Sequence, residues 1–270
     1  MPNLPAAWSE GWLWLSVSLL MADLWANLSW LFREHRSGWA SDLATRLSNW
    51  GFSPWLLQLL RLLYYIGVPF AALLWGHDVV VGRLLGLQPL ILPTPGREET
   101  DANIAANLLD WAHDLGWTAS LALGTWALLA LIWYAYRRAL STAGLGHTVV
   151  GLHSSGWVLL REAIYHEVHW AFYRNAPILT IGMYGGMWGG LTLVALEAAL
   201  NPSWHKGLTD PGEAPAQLLR GALAVVSGVQ FLLTQNLWLA LPLHWAVSWG
   251  MVAFARALPI TRTERPCNAC

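Results

Sequence analysis

The sequence predicts an all-α fold, a polytopic bundle of transmembrane helices, on three observations. Hydrophobic residues make up 56% of the 270 and charged residues only 11%, where a soluble domain carries about 25% charged residues. The apolar residues gather into runs of the length that crosses a bilayer, about 20 residues of helix, and mean hydropathy is +0.41. The chain also holds 20 tryptophans. Indole favours the headgroup boundary, and twenty exceeds what two such belts need, so some are expected inside the bundle. The partner these features imply is the lipid bilayer. A net charge of −1 excludes nucleic acid, which requires a concentrated basic face.

The runs fall at roughly 11–32, 55–76, 115–136, 156–174, 177–200, 216–234 and 236–257, which makes about seven spans, within six to eight. The fourth is the least hydrophobic. Between the second and third, Leu84 to Leu92 is too short to span and is expected to be re-entrant or interfacial. Pro93 to Gly96 and Arg97 to Asp101 read as loop, and Asn103 to His113 as a short amphipathic helix at the surface. Arg33, Arg36 and Arg46 follow the first span, Arg137 and Arg138 the third, and Arg256, Arg262 and Arg265 the last. Seven spans put all three clusters on one side, as cytoplasmic basic loops require. The expectation is a multi-pass protein of the cell membrane with its N-terminus outside and its C-terminus in the cytoplasm.

Residues 1–150 then form N-terminal helices with an acidic external loop, 151–260 a helical core, and 261–270 a short tail. Both cysteines, Cys267 and Cys270, lie in that tail and cannot staple the fold. The N-terminus lacks a basic n-region, so no removable signal peptide is expected. In the fifth run Gly182, Gly186 and Gly190 recur every four residues, as do Gly185 and Gly189. Such small faces let helices approach closely.

Arg161 to Trp170 places Glu162, His166, Glu167 and His169 within ten residues of an otherwise apolar run. Helical spacing sets Glu162, His166, His169 and Tyr173 on one narrow arc and Glu167 with Arg174 on a second. Facing lipid, each central charge would cost about 2.5–3.5 kcal/mol on insertion scales. These side chains are therefore expected to point into the bundle, either as a self-paired network or as a catalytic or metal site. A second polar segment, Thr234 to His244, carries one more histidine at membrane depth.

These two segments resemble the CAAX-protease and bacteriocin-processing (Abi) membrane proteins. That family carries a first motif Glu-Glu-x-x-x-Arg in a context like that of Ala163 to Phe172, and a last histidine helix like Thr234 to Ser248. Its middle motif, an aromatic shortly before a histidine, has a candidate in Trp204 and His205. The resemblance covers about residues 155–257. It implies an intramembrane glutamate/histidine endopeptidase in which a glutamate activates water and histidines with an asparagine stabilise the oxyanion. Carried over, the candidate catalytic residues are Glu167, His166, His244 and His205, with Glu162, His169 and Arg174 beside them. Three consensus positions differ: His166 replaces the first glutamate, Ala171 the arginine and Ser248 the asparagine. Arg174, one turn beyond Ala171, offers a guanidinium, and an imidazole at His166 can itself serve as a base.

Two other readings stay open on the sequence. Glu162, His166 and His169 could offer three ligands to zinc or iron, as in a metal-dependent membrane oxidoreductase, although the remaining histidines are scattered singly. A non-enzymatic scaffold or cofactor-holding subunit of a membrane complex would instead have a fully self-paired polar cluster and no cavity. A hydrolase requires a peptide or protein substrate within the membrane and a cavity that reaches Glu167 and His244 together.

Overall fold

The computed structural model describes residues 4–34, 38, 42, 45–46, 49–75, 86–92, 101–142 and 154–257. The tail expected at 261–270, the 93–100 loop, Arg36, Arg262 and Arg265 lie outside them. Among the described residues every regular element is helical. The helices are α1 (Leu4–Glu34), α2 (Ser53–Leu62), α3 (Val68–Trp75), α4 (Asp101–Thr142), α5 (Gly156–Leu200), α6 (Pro202–Thr209), α7 (Ala214–Thr234) and α8 (Leu237–Ala257). A π-turn, Leu63–Gly67, joins α2 to α3.

Five stretches are long and apolar enough to cross a membrane: Ser53–Ala72, Ala102–Thr142, Gly156–Leu200, Ala214–Thr234 and Leu237–Ala257. The polarity of the molecule is inverted relative to a soluble domain. Leu13, Leu20, Trp55, Leu123, Trp157 and Tyr184 are each more than 60% exposed, while Glu167, Asn236, Gln230 and Ser227 are at most 1% exposed. Apolar side chains turned outward and hydrogen-bonding ones turned inward are the arrangement that lipid favours.

Three elements differ from the sequence expectation. The short surface helix expected at Asn103–His113 is the first part of α4, which runs unbroken for 42 residues. At 1.5 Å per residue this is about 63 Å, twice the ~30 Å hydrocarbon thickness. Residues 102–142 contain neither Gly-Pro punctuation nor a proline to stop the helix. The short run ending at Leu92 is non-helical over 86–92 and docks on the α7–α8 turn. There Leu237 N–H donates to the Gly86 carbonyl (2.6 Å), and Asn236 Nδ2 to Gln88 Oε1 (3.2 Å). Gly86 has φ +74, and a Cβ on it would lie 2.8 Å from Leu237 N, so a side chain is excluded there.

The third difference organises the core. The break expected between 174 and 177 is instead at Gly182, whose φ of 80 and ψ of 174 are open to glycine alone. There α5 folds back on itself. A Cβ on Gly186 would lie 2.3 Å from Ile178 backbone atoms, and one on Gly190 would lie 2.6 Å from Arg174 Cα. The glycine face therefore serves to close this hairpin, backbone against backbone. Ser155 caps the first arm, its Oγ accepting from Val158 N–H. The main apolar cluster joins Ala130 and Trp133 of α4, Trp170 of α5, Leu223 and Ala224 of α7, and Leu243, Val247 and Met251 of α8.

Candidate functional site

The first arm of α5 meets α7 along a seam and α8 across it, and the polar residues fill that junction. Glu167 is fully buried. Its Oε2 accepts from the Ser227 hydroxyl at 2.5 Å, and its Oε1 lies 2.9 Å from His244 Nδ1. With Glu167 as acceptor, Nδ1 carries the imidazole proton and Nε2 is left as the basic nitrogen. Removing either donor would strand a buried carboxylate, so sequestering Glu167 holds the His244 ring in one tautomer and one orientation.

The ring is also held by its faces. His166 and Trp170, one turn apart on α5 and stacked on each other at 5.3 Å, stack with His244 at centroid distances of 5.7 and 5.4 Å and interplanar angles of 9° and 18°. His166 Nδ1 is buried without a hydrogen-bond partner among the described residues. A cavity of about 360 Å³ opens beside this stack, lined by Glu162, His166, Gln217, Arg220, His244 and Ser248 among others. Glu167 does not line it and reaches it only through His244.

The remaining sequence candidates take different places. Glu162 is on the cavity wall, engaged by Arg61 (2.5 Å) and Arg161 (3.2 Å). His169 turns toward the second arm of α5, its Nε2 2.9 Å from Glu197 Oε2. Tyr64 Oη donates to Glu197 Oε1 (3.4 Å) and lies 3.3 Å from Tyr173 Oη. Arg174, which the helical spacing puts on the Glu167 face, lies over the Phe231 ring, 4.1 Å from its centroid. Its Nε and Nη2 have no partner among the described residues. His205 Nε2 meets the Ala199 carbonyl (2.7 Å) at the end of α5.

The arc of Glu162, His166, His169 and Tyr173 thus divides along its length. The first two face the cavity and the last two face the tyrosines of the π-turn, Tyr64 and Tyr65. Tyr65 stands between them, edge-on to His166 and to His169. Consequently Glu162, His166 and His169 do not converge on one point, and among the described residues no group of three or more His, Cys, Asp or Glu is placed to hold a metal ion.

Four neighbours of the candidate residues were not singled out by spacing: Ser227, Trp170, Tyr65 and Arg220. Ser227 carries no local signal, since a serine in a transmembrane helix ordinarily bonds its own backbone. Arg220 and Glu197 did carry one, as lone charges inside apolar runs that need partners at membrane depth.

No protein family model, no curated protein and no solved structure matches this chain. Fold and site together define an all-helical membrane protein with a buried carboxylate–imidazole pair at the wall of a cavity.

Proposed function

We propose that this protein is an intramembrane hydrolase of the glutamate/histidine type, cleaving an amide bond of a peptide or protein substrate. The observation that carries the reading is His244: one ring nitrogen is fixed by sealed Glu167, and the ring borders a cavity. In the proposed step Nε2 of His244 takes a proton from a water in the cavity as the water oxygen attacks the substrate carbonyl carbon. The tetrahedral oxyanion is met by an N–H of His166 and the hydroxyl of Ser248, which lines the same wall one turn beyond His244. The imidazolium then returns its proton to the leaving amine, giving a carboxylic acid and an amine. Positioned acid–base groups of this kind contribute about 10²–10⁴ in rate. Glu162, neutralised by two arginines, serves as wall and helix tether.

The likeness of Ala163–Phe172 and Thr234–Ser248 to the CAAX-protease and Abi motifs supports this reading, since those two segments are in contact. In that resemblance His166 stands at the position of the water-activating glutamate, a role that the proposed step gives instead to His244. A scaffold subunit would need a wholly self-paired cluster without a cavity, which the His166 Nδ1 and the cavity itself weigh against.

The test uses full-length protein in phospholipid vesicles with a library of transmembrane peptides, new termini being read by mass spectrometry. Cleavage that is lost in His244→Ala and Glu167→Gln and kept in His205→Ala is the expected result. No cleavage above protein-free vesicles, or cleavage that survives both variants, would overturn the assignment.

The same reading includes seven passes, with the two arms of α5 counted separately and α1 included. Gly11 packs on Ala176 of α5 and Trp30 on Lys206 of α6, so α1 runs alongside α5 and α6. Arg137 reaches the Ala255 carbonyl and Arg256 the Ser154 carbonyl, gathering basic residues at the end where the cavity opens. That end is assigned to the cytoplasm. A fluorescent protein fused to the C-terminus should fold and fluoresce in cells; a dark fusion whose tail is labelled from outside would reverse the assignment.

A further inference from the structure

Arg220 lies inside α7, two turns from its start, on the cavity wall with His166 and His244. Its Nη1 donates to Gln217 Oε1 at 2.9 Å, a neutral amide on the same helix. Among the described residues no carboxylate pairs with it. The two acids on the cavity are otherwise placed. Glu162 is held by Arg61 and Arg161, and Glu213 precedes Arg220 by seven residues, about 10 Å along the helix, at the exposed start of α7. A guanidinium has five N–H donors in a planar fork suited to carboxylate or phosphate. A half-buried cation in a membrane helix needs such a counter-charge, and this one finds only an amide oxygen. The same wall also carries the apolar side chains of Leu159, Leu219, Leu223 and Val252.

We infer that the cavity binds a ligand with an anionic group at the end of an apolar chain, the anion seated on Arg220 and the chain laid past His166 and His244. The volume of about 360 Å³ is that of a small-ligand site. The inference rests on the hydrolase reading only in taking this cavity for the substrate site. The anion is either the C-terminal carboxylate of a peptide or the phosphate of a lipid headgroup. Both use the same fork, and Arg220 acts as a binding and specificity residue for either.

Binding is measured by calorimetry on full-length protein in uncharged detergent. The probes are N-acetyl-trileucine as free acid and as C-terminal amide, and dioctanoyl phosphatidate beside dioctanoylglycerol. In the native protein the anionic member of at least one pair should bind about tenfold or more tighter than its neutral counterpart. Arg220→Gln should close that gap, Arg220→Lys should leave part of it, and His205→Ala, off the cavity wall, should leave all of it. A gap in the peptide pair names the carboxylate as source, and one in the lipid pair the phosphate. Equal binding within both pairs, or a gap that survives Arg220→Gln, overturns the inference. Loss of peptide cleavage in His244→Ala is read separately, so the anion site and the hydrolase stand or fall apart.

Discussion

Two carboxylate–imidazole pairs sit on the first arm of α5, each closed at 2.9 Å, and their exposure is reversed. In His244–Glu167 the acid is sealed and the imidazole lines the cavity. In His169–Glu197 the imidazole is sealed, 2% exposed, and the acid side chain is 22% exposed. Tyr64, Tyr65 and Tyr173 crowd the second ring at centroid distances of 4.1 to 5.1 Å. The contrast teaches that pairing alone does not make a catalytic base. An imidazole can exchange protons with a substrate only where one nitrogen is held and the other is reachable.

The second pair exists only because the hairpin closes, and breaking the hairpin gives the largest effect. Gly190→Val drives a side chain into Arg174 backbone, and overpacking of this kind costs roughly 1–3 kcal/mol or more. The expected outcome is a lower thermal midpoint in detergent together with separation of Glu197 from His169. An unchanged midpoint would mean that the two arms are not in contact.

A smaller loss follows at the first pair. Ser227→Ala removes one of two donors to a buried carboxylate, worth about 1.5–3 kcal/mol for a hydrogen bond to a charged group. The chemical denaturation midpoint should fall, and any hydrolytic rate should fall with it, because His244 loses its fixed partner. A rate that holds while stability drops would detach Glu167 from the reaction.

The smallest effect is expected at the second pair. Glu197→Gln keeps the shape and an acceptor oxygen, so what is lost is the difference between a charged and a neutral hydrogen-bond partner, about 1 kcal/mol. Peptide cleavage should continue at the native rate. Abolished cleavage would make the two pairs one functional unit through Tyr65 and would undo the comparison.

The membrane class and the meeting of two polar segments were legible in the sequence. Ionisable residues in apolar runs had to turn inward, and Glu167 and His244 had few groups to turn toward. Helical periodicity could place Glu162, His166, His169 and Tyr173 on one arc, but it could not show that different neighbours face the two ends of that arc. Those neighbours come from distant positions: Arg61 and Tyr64 from α2 and the π-turn, Ser227 from α7. For Arg174, i, i+7 spacing gives the face it shares with Glu167 without stating what covers that face. Phe231, one turn beyond Ser227, covers it. Glu197 was visible only as a lone charge, since nothing in the run of glycines says that Gly182 reverses the chain and carries residue 197 back to 169.

The claim at the centre is that His244 is reachable from the cavity while His169 is not. Diethylpyrocarbonate modifies accessible neutral imidazole nitrogens, and peptide mapping of full-length protein in detergent reads each histidine separately. His166 and His244 should be modified while His169 stays unreacted under the same exposure. Modification of His169 at the rate of His244, or an inert His244 beside a modified His169, would contradict the account.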